Sequence, residues 1–323
     1  MTANLVSFSG GKDSTATLLV AIEQDVENLS GVFCDTGNEH DAVYEYVEYI
    51  QQVTGIKIKT LRQDFTAWWW RRRDYVMHNW PEKMGKAIET TTGYPIWTGD
   101  EISEIIERVL SVMEKGPTGN PFLDLCIIKA RFPSRKAQFC TQYLKSEPAT
   151  EYALGLIDQY GSVVSWQGVR AEESSNRAKL YEREDKGGGY SVYRPIHKWT
   201  AAQVFSMHDK HGIKPNPLYM QGMGRVGCMP CINAAKDEIL EISKRFPEHI
   251  ERINEWEKVV SLGSRRGGAT FFASLGDSKT AYERGNITQI VQWSQTKRGG
   301  KLLDMFRIND EPLACSSAYG LCE

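Results

Sequence analysis

"VSFSGGKDST", residues 6–15, is the stretch on which the fold of this chain turns. Leu5-Val6-Ser7-Phe8 has the apolar character of a strand, Ser9-Gly10-Gly11-Lys12-Asp13-Ser14 interrupts it, and Thr15 to Ile22 reads as helix. A strand, a glycine turn and a helix hold phosphate, because the unpaired N–H groups and the positive dipole end of the helix face an anion. The loop has neither the G-x-x-x-x-G-K-[ST] nor the G-x-G-x-x-G spacing of the familiar phosphate loops. Gly10 and Gly11 allow backbone conformations closed to other residues, so that successive N–H groups converge on one anion, and Ser9 and Ser14 add hydroxyls. Lys12 places a point charge where the pyrophosphate end of a nucleotide would lie. A plain glycine turn capped by serine or aspartate is the alternative reading.

Outward from this loop the chain alternates. Gly31-Val32-Phe33-Cys34 reads as a second strand, Asp41 to Val53 as a helix of period near 3.6, and Ile56 to Leu61 as a third strand. Alternating strands and helices imply a parallel sheet with right-handed crossovers, whose ligands sit beyond the carboxyl ends of the strands. The Ser9 loop and Asp35-Thr36-Gly37 both fall at that edge. Residues 66–130, with "WWWRRRDYVMHNWPEK", break the rhythm and read as an inserted helical lobe. The α/β pattern resumes with a helix near 147–159 and the strand Ser162 to Trp166. Helices are expected at Thr200 to Lys210 and from about Ala235 to Val260. The resulting division is a nucleotide-binding α/β domain at 1–65 and 131–225, a helical insertion at 66–130 and a mostly helical, metal-binding C-terminal region at 226–323.

With 323 residues and 41% hydrophobic content the chain can bury a sizeable core, and a net charge of −2 confines any nucleic-acid contact to a local patch. No apolar run reaches the roughly 18 residues of a spanning helix, and a loop at residue 9 leaves no room for a signal peptide. A cytoplasmic protein without membrane association is therefore expected. Seven cysteines in a reducing compartment point to metal ligation or thiol chemistry before disulfides. Cys228-Met229-Pro230-Cys231 has the spacing that brings two thiolates to one metal from a tight turn, and Cys315 and Cys322 can supply two more. Four thiolates suit zinc or a [4Fe–4S] cluster; buried unliganded thiols or a redox disulfide are the bland alternatives. Cys34 and Cys126 sit in apolar runs and read as core.

"SGGKDS" resembles the signature of the PP-loop ATP pyrophosphatases, which have an adenine nucleotide α-hydrolase-like, Rossmann-like parallel sheet with helices on both faces and split ATP between its α and β phosphates. Further blocks narrow the resemblance to the phosphoadenosine-phosphosulfate (PAPS) reductase-like branch. They are "VFCDTGNEHDAVYEYVEYI", "FCTQYLKSEP", "WQGVRAEESSNRAKL", "YRPIHKWTAAQVF" and "NPLYMQGMGRVGCMPCI". The resemblance implies a nucleotide site made by Ser7, Ser9, Gly10, Gly11, Lys12, Asp13, Ser14, Asp35, Thr36, Gly37, Gly168, Arg170 and Arg177. Within it Lys12, Asp13, Arg170 and Cys140 are the implied catalytic groups. Arg170 and Arg177 suit a clamp on phosphate or sulfonate oxygens; salt bridges to Glu172 or Glu173 are their alternative.

Two departures matter. Reductases acting on an already activated sulfonucleotide usually have a degenerate first loop, whereas this chain keeps Lys12 and Asp13, which favours ATP with Mg²⁺ and attack at the α-phosphate. "GCMPCI" is similar to the block that holds an iron–sulfur cluster in assimilatory sulfonucleotide reductases and related DNA-sulfur-modification enzymes, yet only Cys140 stands where those reductases carry adjacent cysteines. The ligand set favoured is Cys228, Cys231, Cys315 and Cys322, with Cys140 as an alternative ligand or reactive thiol. Cys322, in "YGLCE", is also a candidate nucleophile.

The expected function is adenylation-linked sulfur transfer or reduction with a Cys-ligated metal centre. An assimilatory-type PAPS or adenylyl-sulfate reductase is one alternative, and a non-catalytic, nucleic-acid-binding metalloprotein that senses nucleotides is another. A nucleotide substrate, a nucleic-acid acceptor, a sulfur-donor protein of the cysteine desulfurase or thioredoxin-like kind, and a homodimer are the implied associations. Arg71 to Arg73 beside three tryptophans, and the pairs Arg265-Arg266 and Lys297-Arg298, either grip a single strand or form a solvated basic face over Trp68 to Trp70.

Overall fold

A computed structural model of the chain describes residues 1–87, 96–272 and 285–296. Cys315, Cys322, Lys297 and Arg298 lie outside the described residues. The described chain forms two compact units, one of Met1–Arg62 and Thr141–Cys231, the other of Gln63–Cys140 and described residues beyond Ile232.

The first unit is built on β1 (Thr2–Phe8), α1 (Lys12–Glu23), β2 (Leu29–Asp35), α2 (Asp41–Thr54) and β3 (Ile58–Arg62). It continues after residue 141 with α7 (Glu147–Tyr160), β4 (Ser162–Gln167), a short α8 (Ser175–Ala178), β5 (Arg183–Asp185), β6 (Tyr190–Tyr193) and α9 (Ala201–Lys210). Its six strands lie in the order β3-β2-β1-β4-β6-β5. Every pairing is parallel except β5 with β6. This is an α/β, Rossmann-like fold, mixed only at one edge.

The alternation of β1 distributes its two faces. Ala3 and Leu5 bury against Val32, Val163 and Ala153 of α7, with Tyr152, Leu156 and Tyr160 packed alongside. Phe8 points the other way and stacks on Tyr46 of α2. Period-2 side-chain placement thus gives the sheet a helical layer on each face. Val43, Tyr46, Val47 and Ile50 supply the buried stripe of α2, at the helical spacing read from the sequence. Because β1, β2 and β4 are parallel, their carboxyl ends share one edge, and the loops after Phe8, Asp35 and Gln167 emerge there together.

The second unit contains α3 (Thr66–Gly85), α4 (Gly99–Met113), α5 (Pro121–Lys129), α6 (Phe139–Thr141, its last residue in the first unit), α10 (Lys236–Arg245), α11 (Pro247–Leu262) and α12 (Ile287–Ser294). Trp69 is the central residue of the tryptophan run and is 1% exposed, with its indole N–H donating to the Met113 carbonyl at 2.7 Å. An aromatic cluster of Phe122, Phe132, Trp256 and Phe271 joins α5, α11 and the segments that follow them. Thr98 and Glu101 close a capping box at the start of α4.

One expectation is corrected. The helix read from Ala235 to Val260 is two helices, because Pro247 has no N–H to continue α10 and Phe246 leaves helical geometry. Among the described residues the helices after Ile232 cluster with residues 63–140. Strands β5 and β6, joined through Gly187 to Gly189, were hidden by their brevity; the triple glycine was the one local signal.

Candidate functional site

The phosphate-loop candidate begins where β1 ends. Gly10 adopts φ +75°, and a Cβ there would lie 2.8 Å from Val43 Cγ1, so the turn needs glycine twice over. Gly11 caps α1 without a side-chain bond. The Ser14 hydroxyl donates to the Gly11 carbonyl at 2.9 Å and accepts the Ser9 N–H at 3.2 Å, which draws the loop closed. Ser7 lies inside β1, paired to Val32 and Gln167, and contributes to the sheet.

Three charged side chains meet at this loop. Asp13 accepts from Lys12 Nζ at 2.7 Å and from Arg170 Nε at 2.5 Å. Lys12 and Arg170 are 4% and 3% exposed, so two buried cations share one carboxylate. Arg170 also pairs with Glu172, and its own N–H donates to Glu173 at 3.1 Å. Arg170 reaches the loop because Gly168 lets β4 approach it: a Cβ at Gly168 would stand 2.8 Å from the Asp13 carbonyl. Arg177 is half-exposed and pairs with Glu173, the salt bridge weighed as its alternative role, whereas Arg170 makes both a salt bridge and the contact to the loop.

Supporting residues that the sequence reading did not single out surround this group. The Tyr219 hydroxyl accepts the Lys12 N–H at 2.9 Å, with Lys12 Nζ 5.7 Å above its ring. Asn216, fully buried, donates from Nδ2 to the Gly10 and Ala42 carbonyls at 3.2 Å. His208 donates from Nε2 to the Lys12 carbonyl at 2.9 Å, and burial pushes its pKa down, which keeps it neutral. Asn216 and Tyr219 do sit in the quoted "NPLYMQG" block; nothing local distinguishes them from core residues.

The second loop at this edge is internally committed. Asp35 accepts the Gly37 N–H and the Tyr44 hydroxyl, each at 2.8 Å, and pairs with Arg62. Thr36 donates its hydroxyl to Glu39 at 2.7 Å and its N–H at 3.1 Å. Glu39, 4% exposed, also accepts from the Cys228 thiol at 3.5 Å. The Met229 N–H donates to the Asn38 carbonyl at 2.8 Å, and Asn38 Nδ2 to the Pro230 carbonyl at 2.9 Å, so residues 36–39 and the cysteine turn are stitched together.

Cys228 therefore stands at the same sheet edge, with Lys145 Nζ 3.7 Å from its sulfur. Burial, with the Glu39 charge adding, pushes its thiol up to about 12 against the opposing Lys145 charge. The turn thus presents two thiols, Cys228 and half-buried Cys231, donors of the kind a thiophilic metal takes, with the Lys145 cation beside Cys228. Cys140 is half-buried in the second unit near Cys126, whose thiol burial pushes well up. Cys34 is half-buried, with its thiol on the Lys145 carbonyl, and pushed up to about 11 by burial.

Among the described residues no helix is long and apolar enough to cross a membrane. A family model for the phosphoadenosine phosphosulfate reductase domain matches residues 3–234. An uncharacterised 37.8 kDa protein of Escherichia phage 186 is 42% identical over the whole chain and 97% of its own length. An adenosine 5'-phosphosulfate reductase of Allochromatium vinosum is 34% identical over 32% of this chain and 37% of its own. Among solved structures, a PAPS reductase from Candida auris aligns at TM-score 0.39 and 13% identity, over 71% of this chain and 82% of that one.

Proposed function

The chain belongs to the phosphoadenosine phosphosulfate reductase domain family, and on that premise we propose an enzyme of sulfonucleotide-reductase type whose Ser9–Ser14 loop binds ATP with Mg²⁺. The observation that carries the reading is the pairing of buried Lys12 and Arg170 on one internal carboxylate at the carboxyl edge of the sheet. A phosphate group, like Asp13, offers those cations negatively charged paired oxygens, so exchange of one for the other keeps both compensated.

In the proposed reaction an acceptor nucleophile forms a bond to the α-phosphorus while the bond from that phosphorus to the bridging oxygen breaks. Pyrophosphate leaves, the acceptor proton passes to water, and no electrons are transferred. Lys12 and Arg170 hold the charge that develops on the leaving group, and the loop N–H groups orient it. Mg²⁺, when bound, would be held by the released Asp13 carboxylate and would add positive charge at the phosphates. A [4Fe–4S] cluster or zinc would be held by Cys228 and Cys231, with Cys315 and Cys322 or Cys140 as the remaining thiols. Such a centre would supply positive charge or, as a cluster, electrons for the sulfur chemistry.

The matched adenosine 5'-phosphosulfate reductases favour a second reading, in which the same loop holds an adenylyl sulfonucleotide whose sulfuryl group takes two electrons from a dithiol reductant, the bond from sulfur to the phosphate oxygen breaking to release sulfite and AMP as the dithiol becomes a disulfide. Lys12→Ala, with folding verified by circular dichroism, is expected to lower acceptor-dependent conversion of ATP to pyrophosphate at least ~100-fold. Unchanged conversion overturns the ATP reading, and sulfite release from adenylyl sulfate without pyrophosphate formation selects the second.

A further inference from the structure

The second unit holds a cavity of about 540 Å³ whose lining includes Arg72, Tyr75, Trp80, Arg131, Arg265 and Arg266. Four arginines face one space, and among the described residues none of them makes an ion pair with a carboxylate. Arg72 lies against two rings, 5.7 Å from the centroid of Tyr75 and 5.0 Å from that of Trp80. Burial and the Arg265 charge both push its pKa down, the mark of a guanidinium held beside like charge. Arg265 in turn lies 4.9 Å from the Trp97 ring and Arg131 5.7 Å from that of Phe139.

The segment that carries Arg265 and Arg266 is fixed from beneath. Arg108 of α4 donates to the Ser264 carbonyl at 2.9 Å, and the Ser261 hydroxyl accepts the Ala269 N–H at 2.8 Å. The buried Glu257 carboxylate accepts the Phe271 N–H at 2.7 Å. Uncompensated charge is thus held in place by neighbours whose own polar groups are satisfied, and an anion completes it.

We propose that this pocket binds single-stranded nucleic acid, with bases stacked on the Arg72–Tyr75–Trp80 platform and phosphates held by Arg131, Arg265 and Arg266. Aromatic rings interleaved with guanidinium groups in a concavity match an unpaired base and its backbone. A duplex presents its bases edge-on in grooves and does not fill such a space. An acidic peptide would use the arginines and leave the rings idle. The positive charge continues along α3 at exposed Arg71, which suits a run of phosphates rather than one nucleotide. The proposal is independent of the Lys12 loop.

The test uses the full chain and a fluorescein-labelled oligothymidylate of about a dozen nucleotides, followed by anisotropy across a salt series. Wild type is expected to bind with affinity falling as salt rises. The Arg72→Gln/Arg265→Gln/Arg266→Gln variant should bind about tenfold or more weakly at low salt, with a log–log salt slope smaller by about 1.4. Tyr75→Ala, at a half-exposed position, should weaken binding and leave the slope unchanged, and it carries the test if the triple variant loses its fold. No binding by wild type, unchanged affinity and slope in a folded triple variant, or tighter binding of a duplex of equal length or of a poly-glutamate peptide overturns the proposal.

Discussion

The two units treat buried and clustered positive charge in opposite ways. At the sheet edge Lys12 and Arg170 are compensated from within, by Asp13 and Glu172. Around the helical cavity Arg72, Arg131 and Arg265 lie against aromatic rings, and neither they nor Arg266 has a carboxylate partner among the described residues. Internal compensation keeps two buried cations paired, and in the proposed function a phosphate takes the place of that carboxylate. An uncompensated cluster stays near solvent, tolerates self-repulsion and gains from any polyanion that arrives.

The contrast breaks most visibly at Asp13. Asp13→Asn leaves two buried cations short of a carboxylate and is expected to cost about 3–5 kcal/mol in urea denaturation, part of it restored by millimolar pyrophosphate through mass action. Arg265→Gln, in the other unit at an exposed position, should change stability by no more than ~0.5 kcal/mol. Equal effects from the two substitutions would erase the distinction.

A smaller effect is expected at Gly168, where the added methyl of Gly168→Ala meets the Asp13 backbone. About 1–3 kcal/mol of destabilisation should follow, with weaker nucleotide binding because Arg170 and Asp13 are pushed apart. Denaturation and nucleotide titration of the same variant measure both; loss of stability with full affinity would show that the close approach serves packing alone.

Comparable in size, and reversible, is a pH effect in the second unit. Glu257 sits at about 7, raised by burial against two opposing N–H groups from Phe271 and Ile287. Because its folded value lies above the unfolded one, the folded state binds the proton more tightly, and stability falls as pH rises from about 4.5 to 7. A melting series should show a loss of about 2–3 kcal/mol across that window. Glu257→Gln should flatten it; an unaltered slope would assign the pH dependence to another group.

Short-range signals carried much of this. The strand, glycine turn and helix at residues 5–23 were legible because Gly10, Gly11 and the apolar period act within one turn, and α2 was legible from its buried stripe. The break at Phe246 was readable in principle from Pro247 and was overridden by a long helical pattern on both sides. Tyr219, Asn216 and His208 were not legible as site residues, since each serves the loop through contacts more than 190 positions away in sequence.

By itself the sequence determined that a strand, a glycine turn and a helix open a mostly parallel α/β sheet, and that Lys12 and Asp13 stand at the start of that helix. Local backbone preference and side-chain periodicity are written in consecutive residues and need no partner to be read. Only the tertiary structure decided that Arg170, and not Arg177, reaches Asp13, that Glu39 and Lys145 flank Cys228, and that arginines from α3, the segment after α5 and the segment after α11 line one cavity. Those outcomes depend on which distant segments burial brings within a few ångströms, a property of the packed chain rather than of any stretch of it.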